Sequence, residues 1–311
     1  MHILAGVDEA GLGPTLGPLV TASAALEVPD DWQPDTPWKR LGDAVADAWR
    51  RGQTLPVAAD SKKIYVAGGM AALELTVGAF SLLANGSPAP SVDDSAPDAA
   101  RHPCYLVEKA VFPTHADGRE IETAAKRLTE SLAREKASVA RLRAFRLFEP
   151  GLNRRFDSGL NKNQALLMET GRHLSELAAG FPDRRIVAVV DKQGGRNAYL
   201  HFLGALFPGS WLDVLEEGAA VSRYRLRRDG GDMEIRFIAK ADRDSFPTAL
   251  ASMLAKYCRE RCMAGLNAWF SERLPGLKPT AGYPTDAARW KNEVSASGLD
   301  AAGLDKLTRK R

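Results

Sequence analysis

An α/β fold with a mixed sheet between helical layers is what this sequence predicts, on three observations. Residues 3–7 and 19–26 are apolar β-forming runs joined by a Gly/Pro-rich turn at 11–18, so the chain opens as strand, loop, strand. Residues 185–191, Arg-Ile-Val-Ala-Val-Val-Asp, form an almost continuous apolar run, the pattern of a strand buried on both faces, and it closes on an acid. Helical periodicity on either side of that run sets antiparallel strands first, then helix, strand, helix and strand, an order that builds three layers.

The elements follow in order. A helix is expected over 69–84. Residues 85–103 are rich in Ser, Pro, Asp and Ala with hardly any large apolar side chain, and read as a mobile surface insert. Residues 104–112 alternate as a strand does. From 117 through 147 apolar residues recur at helical spacing among Ala, Arg, Lys and Glu, which predicts a long amphipathic helix or a helical pair, so that 117–160 reads as a helical insertion. Further helices are expected over 163–178, 199–207 and 248–270. Residues 222–228 and 233–238 flank Asp229-Gly230-Gly231-Asp232, a strong hairpin signal. The expected plan is one domain over 1–285 followed by a basic extension, 286–311, that either folds back or trails.

Composition narrows the function classes. At 311 residues and 45% hydrophobic the chain can bury a large core, which excludes disordered and collagen-like proteins. The net charge of +3, from 42 Lys and Arg against 39 Asp and Glu, is too small to prove a polyanionic partner. Its distribution says more, because basic residues gather at 134–155, 223–228 and 306–311 while acids stand alone or in pairs. No run reaches the ~18 consecutive apolar residues of a membrane span. The start lacks the pattern of a signal peptide, and three cysteines are too few for a disulfide framework. A cytoplasmic protein without a membrane is therefore expected.

Carboxylates at predicted strand ends carry the chemistry. Asp8 and Glu9 close the first strand, Asp191 closes a later one, and Asp242 follows the hairpin ahead of a helix. Taken singly, each reads better as a helix cap or turn residue, Asp242 as the cap of the helix after it. If the strands are sheet neighbours, however, the acids converge and repel unless a divalent cation neutralises them. Carboxylates without histidine or thiolate partners favour Mg²⁺ or Mn²⁺ over Zn²⁺. A pair of such ions ~3.5–4 Å apart is the arrangement of phosphodiester hydrolysis.

At this point a resemblance enters. Gly6-Val-Asp8-Glu9-Ala-Gly11-Leu12-Gly13-Pro14, with Gly17-Pro18 after it, resembles the N-terminal motif of ribonuclease HII, the type 2 ribonuclease H family. Asp60-Ser61-Lys62-Lys63, the strand-end Asp191, Lys240-Ala241-Asp242 ahead of residues 251–256, Arg259 and Arg261, and Gly282-Tyr283-Pro284-Thr285 agree in the same order. Matching is poor between residues 85 and 160. The resemblance implies a ribonuclease H-like fold, three-layered, with a mixed five-stranded sheet flanked by helices. It further implies a two-metal endonuclease, using Mg²⁺ or Mn²⁺, that cuts the RNA strand of RNA–DNA hybrids to leave 3′-hydroxyl and 5′-phosphate ends; separately from the resemblance, a monomer is expected. Carried over by position, Asp8, Glu9, Asp191 and Asp242 are its catalytic, metal-binding carboxylates.

Binding residues follow from physical chemistry and from the resemblance together. Gly11 and Gly13 lack side chains, so backbone can lie against a ribose and bond its 2′-hydroxyl, although a tight turn alone would also want them. Lys62, Lys63 and Lys256 are placed to meet phosphates, although any one of them in isolation reads better as solvated surface. Tyr283 resembles the family tyrosine that stacks near the cut, and by itself could cover core. Leu12 departs from the family, which commonly has Arg between the glycines, and a leucine cannot donate a hydrogen bond to ribose or phosphate. Residues 192–196 read as the turn that aims Asp191, with Arg196 a phosphate contact, and the basic clusters at 134–155 and 223–228 as hybrid-binding faces. Cys258 and Cys262, at i and i+4, read as buried structural residues rather than metal ligands. A different nucleic-acid substrate, or a binding protein that kept the fold without catalysis, stays open.

Overall fold

The computed structural model describes residues 1–95, 102–105, 112–299 and 301–310. The chain runs β1 (His2–Ala10), β2 (Leu19–Val28), α1 (Thr36–Arg40), α2 (Ser61–Asn85), β3 (Ser91–Asp94), α3 (Gly118–Arg134), β4 (Ser138–Leu147), α4 (Glu149–Asp157), α5 (Lys162–Gly180), β5 (Ile186–Asp191), α6 (Leu200–Leu206), β6 (Leu212–Glu217), β7 (Val221–Leu226), β8 (Met233–Ile238), α7 (Phe246–Arg273), α8 (Pro284–Ala296) and α9 (Ala301–Leu307). Short 3-10 turns lie at Pro103–Tyr105 and Ala241–Arg243.

The apolar runs of β1 and β5 become the middle of one sheet, ordered β3-β4-β2-β1-β5-β8-β7-β6. β1, β5 and β8 run parallel, while β2 and β7 flank them antiparallel. Alternation along β1 divides the core. Leu4 packs with α2 and α7 side chains such as Leu73, Leu250 and Leu254, whereas Ile3, Ala5 and Val7 pack with Leu174 and Leu177 of α5 and Leu203 of α6. Helices therefore cover both faces, as the three-layer expectation requires.

Gly6 sets the closest approach. A Cβ there would lie 2.1 Å from the Thr248 nitrogen, so only a bare backbone lets the first turn of α7 rest on β1. Ser245 caps that turn, accepting the Thr248 N–H through its hydroxyl, and the Thr248 hydroxyl donates to the Val189 carbonyl of β5 at 3.1 Å. Helix α7 is thus fixed to both central strands near the ends where their acids stand.

The sheet has eight strands rather than five. β4 replaces the second half of the expected helical insertion, and its burial alternates irregularly around Arg141, Arg143 and Arg146. Ala, Leu and Arg favour a helix locally, but pairing with β2 overrides that preference. β3 lies in the expected surface insert and pairs parallel with β4, with Asp93 against Arg143 and Asp94 against Arg146. Cys104 and Tyr105 belong to a buried 3-10 turn and not to a strand, while the rest of that expected strand, 106–111, and residues 96–101 of the insert lie outside the described residues. β6 is an edge strand that sequence alone did not indicate.

Helix α2 begins earlier than expected, at Ser61, and breaks at Gly69, whose φ is +64°. By length and composition it would cross a membrane, yet half of its apolar window is buried within the protein. Residues 286–310 do not trail. Trp290, Val294 and Leu307 are wholly buried with Leu16, Phe148 and Phe270.

His173 of α5 is buried between Ser23 (Nδ1 to Oγ, 3.0 Å) and Thr21 (Nε2 to Oγ1, 3.1 Å) of β2. Burial, and then the charge of Arg141, pushes it down to about 3. The unfolded imidazole takes up a proton below ~6.5 and the folded one does not, so this group removes stability as pH falls through that range. His173→Gln is expected to flatten the loss of stability between pH 6.5 and 4 by about 1.4 kcal/mol per pH unit in urea unfolding. An unchanged slope would contradict the neutral assignment. Gly6→Ala is expected to destabilise the protein by roughly 3 kcal/mol through overpacking, measured the same way.

Candidate active site

Parallel strands that end together place whatever follows them at one edge, the usual ligand position of such sheets. Val7 of β1 sits opposite Val190 of β5, so Asp8 and Asp191 follow side by side. β8 ends beside Asp191, and Lys240 then adopts the left-handed region at φ +60°, turning the chain into the 3-10 turn that carries Asp242. The Ala241 N–H donates to Asp191 Oδ1 at 2.9 Å, tying that turn to β5.

Asp8, Glu9, Asp191 and Asp242 line one pocket of about 340 Å³ with Gly11, Leu12, Gly13, Asp60, Lys62, Ser252, Lys256, Arg259 and Tyr283. Burial, then repulsion from Glu9 and Asp191, holds Asp8 well above the ordinary carboxylate value. Burial, then Asp191, raises Glu9 to about 7. Burial and Asp242 raise Asp191, and burial and Asp60 raise Asp242. The Lys62 ammonium opposes the shift at Glu9, Asp191 and Asp242, so it faces the acids as well as any incoming phosphate.

The two glycines of the turn lack side chains for different reasons, Gly11 for close packing and Gly13 at the surface. Gly11 has φ +90°, and a Cβ there would meet the Pro18 carbonyl at 2.6 Å and the Arg259 side chain at 2.7 Å. Gly13 is exposed, and a Cβ on it would lie 3.9 Å from the Tyr283 ring. Tyr283, half exposed, therefore overhangs the turn. Leu12 leans on the cluster of Leu19, Leu147, Leu152, Phe156, Ala165 and Leu166. Lys256 reaches Glu260 at 2.6 Å and lies 4.4 Å above the Tyr65 ring.

Two expected contacts are not brought in. Lys63 gives its backbone N–H to Asp60, and its side chain lines a neighbouring groove beside Trp38 and Trp49. Arg196 sits 5.9 Å from the Tyr199 ring and does not line the pocket. The basic clusters offered as binding faces are largely engaged in ion pairs: Arg141 with Glu176, Arg143 with Asp93, Arg155 with Glu169, Arg223 with Glu234 and Arg227 with Asp213. Sequence reasoning did not assign Asp60, Ser61, Ser252 or Arg259 to the site. Asp60 caps α2 by accepting the Lys62 and Lys63 N–H groups, a signal present in Asp-Ser-Lys-Lys. Ser252 faces Asp8, where its hydroxyl favours the charged carboxylate, and lies 3.0 Å from the Ser61 hydroxyl; it falls inside the 251–256 segment of the resemblance, which carried no role for it.

Among the described residues no three His, Cys, Asp or Glu are already arranged to hold a metal ion. The pocket nonetheless offers carboxylates and hydroxyls without a histidine or thiol, and its acids are raised by burial and mutual repulsion. That donor set fits a hard divalent cation such as Mg²⁺ or Mn²⁺, whose charge would relieve the repulsion.

No family model and no curated protein matches the chain. Solved structures to which it is similar include the PCNA:RNase HII complex from Archaeoglobus fulgidus, at 17% identity and a TM-score of 0.46, covering 99% of this chain and 94% of that one. Ribonuclease H2 from Pyrococcus horikoshii OT3 is 15% identical with a TM-score of 0.45, over 99% and 92%. Bst-RNase HIII in complex with Mn²⁺ is 17% identical with a TM-score of 0.43, over 99% and 66%. With TM-scores below 0.5, these likenesses add nothing to the chemistry, which rests on the residues themselves.

Replacing one of the repelling acids should help the metal-free fold. Asp8→Asn is expected to raise the melting temperature in EDTA by a few degrees, at roughly 2–4 °C per kcal/mol. Mn²⁺ is expected to raise the wild-type value and to move the variant less, as read by differential scanning fluorimetry. Equal shifts in both proteins would contradict a cation site at Asp8.

Proposed function

We propose that this chain is a type 2 ribonuclease H, a cytoplasmic, metal-dependent endonuclease that cuts the RNA strand of RNA–DNA hybrids and leaves 3′-hydroxyl and 5′-phosphate ends. The observation that carries the proposal is the meeting of Asp8, Glu9, Asp191 and Asp242 in one pocket with the Gly11–Gly13 turn and Tyr283. Mg²⁺ or Mn²⁺ ions, when bound by those acids, supply water activation and charge stabilisation at the departing oxygen. The remaining work belongs to the chain. Gly11 and Gly13 leave backbone bare for a ribose 2′-hydroxyl, Tyr283 closes over the same turn, and Lys62 offers positive charge beside the acids. Asp8 and Glu9 sit at the end of a strand paired on both sides, which holds them in place before substrate arrives.

Incubating the purified protein with an RNA–DNA hybrid and Mg²⁺ or Mn²⁺ tests this. Cleavage of the RNA strand is expected, falling by roughly 10²-fold or more in Asp8→Asn and Asp242→Asn. Absence of cutting by the wild type, or full activity in Asp8→Asn, would overturn it. Because Leu12 supplies no donor, a lone ribonucleotide in duplex DNA is expected to be cut at least about tenfold more slowly than a continuous hybrid, the worth of one charge-assisted hydrogen bond. Adding all-DNA duplex and single-stranded RNA to the same assay separates this activity from one on another nucleic acid.

A further inference from the structure

We propose that Arg309 is a positioning residue for the nuclease site, holding the 11–17 turn in the shape that reads the RNA strand. This rests on the function proposed above and extends it to a residue that does not line the pocket. Arg309 is 6% exposed, and its guanidinium spans the turn from beneath. Nη1 donates to the Gly11 carbonyl at 2.6 Å and to the Pro14 carbonyl at 2.9 Å, and Nε donates to the Gly17 carbonyl at 3.0 Å. Its own backbone N–H donates to the Thr15 carbonyl at 3.0 Å.

A glycine turn this tight directs several carbonyl oxygens inward, where they repel one another and need donors. A fixed fork of N–H groups satisfies them from one point, which an ammonium cannot do with the same geometry. The N–H side of the turn is tied elsewhere: Thr15 and Leu16 donate to the Gly282 carbonyl at 2.8 and 3.2 Å, and Gly17 donates to Glu149 Oε1 at 2.7 Å. Glu149 is fully buried, also accepts the Tyr105 hydroxyl at 2.7 Å, and its charge opposes the desolvation of Arg309. Burial pushes the guanidinium down to about 10, so it remains charged at neutral pH.

The strap around Arg309 is fixed on both sides by one side chain. Asn153 of α4 donates through Nδ2 to the Thr308 carbonyl at 2.8 Å and accepts the Lys310 N–H at 2.8 Å through Oδ1. Lys310 Nζ pairs with Asp157 at 2.6 Å. Beside the direct Glu149–Gly17 bond, a second link from α4 to the turn therefore runs through residues 308–310. Asp8 and Glu9 are held instead by the β1 ladder, so loosening the strap disturbs the turn and leaves the acids where they are. Displacing a binding turn by even ~1 Å is costly to recognition.

The test compares Arg309→Met, Arg309→Lys and Asn153→Ala with wild type. Arg309→Met is expected to raise KM for the hybrid about tenfold with kcat within about twofold, Arg309→Lys to fall between it and wild type, and Asn153→Ala to raise KM about threefold. Hydrogen exchange of peptides covering 11–17 is expected to quicken in each variant while β1 and β5 stay protected. Unchanged KM together with unchanged exchange at 11–17 would overturn the proposal, as would a fall in kcat and melting temperature at constant KM. Should Arg309→Met not fold, Asn153→Ala decides, since it removes no buried charge. If wild type does not cut the hybrid, the nuclease assignment fails, and exchange at 11–17 in Asn153→Ala still decides whether the strap holds the turn.

Discussion

Because β1, β5 and β8 run parallel and in register, the negative charges at or just past their ends cannot avoid one another, and the rest of the site is organised around that repulsion. Burial alone would raise these carboxyls, and their neighbours raise them further. Such an arrangement costs the metal-free fold stability, and the Gly6 contact with α7, the Thr248 bond to β5 and the Ala241 bond to Asp191 are what hold it together. A divalent counter-ion is the kind of group whose binding would offset that cost.

The parts of the fold legible in the sequence are those in which local pattern and tertiary demand agree. The Ile-Val-Ala-Val-Val run of β5 is buried on both faces, and nothing else suits it; the Asp-Gly-Gly-Asp hairpin joins β7 to β8 as its turn chemistry requires. β4 shows the opposite case. Its helix-forming residues become a strand because β2 presents an open edge and because Asp93, Asp94 and Glu176 receive its arginines, partners distant in sequence. Ion pairing within the protein also engages much of the basic clusters, Arg141, Arg143 and Arg155 in the first and Arg223 and Arg227 in the second.

The candidate site was legible to the extent that its residues carry charge or lack a side chain. Strand-end acids and paired glycines are conspicuous in any sequence, whereas Ser252 acquires its role only when α7 lies against β1, and Lys63 loses the expected one because the start of α2 points it into the next groove. Leu12 is intermediate. Its inability to donate is plain from its chemistry, but its seat on the α4 and α5 side chains explains why an apolar residue is accommodated there.

Contacts between residue 309 and residues 11–17 join segments 292 to 298 residues apart in sequence. The acid-bearing strands can pair once β8 has left the ribosome, whereas the glycine turn waits for everything through α9. A nascent chain therefore passes through a stage at which its charged cleft exists without the bonds that brace the glycine turn beside it.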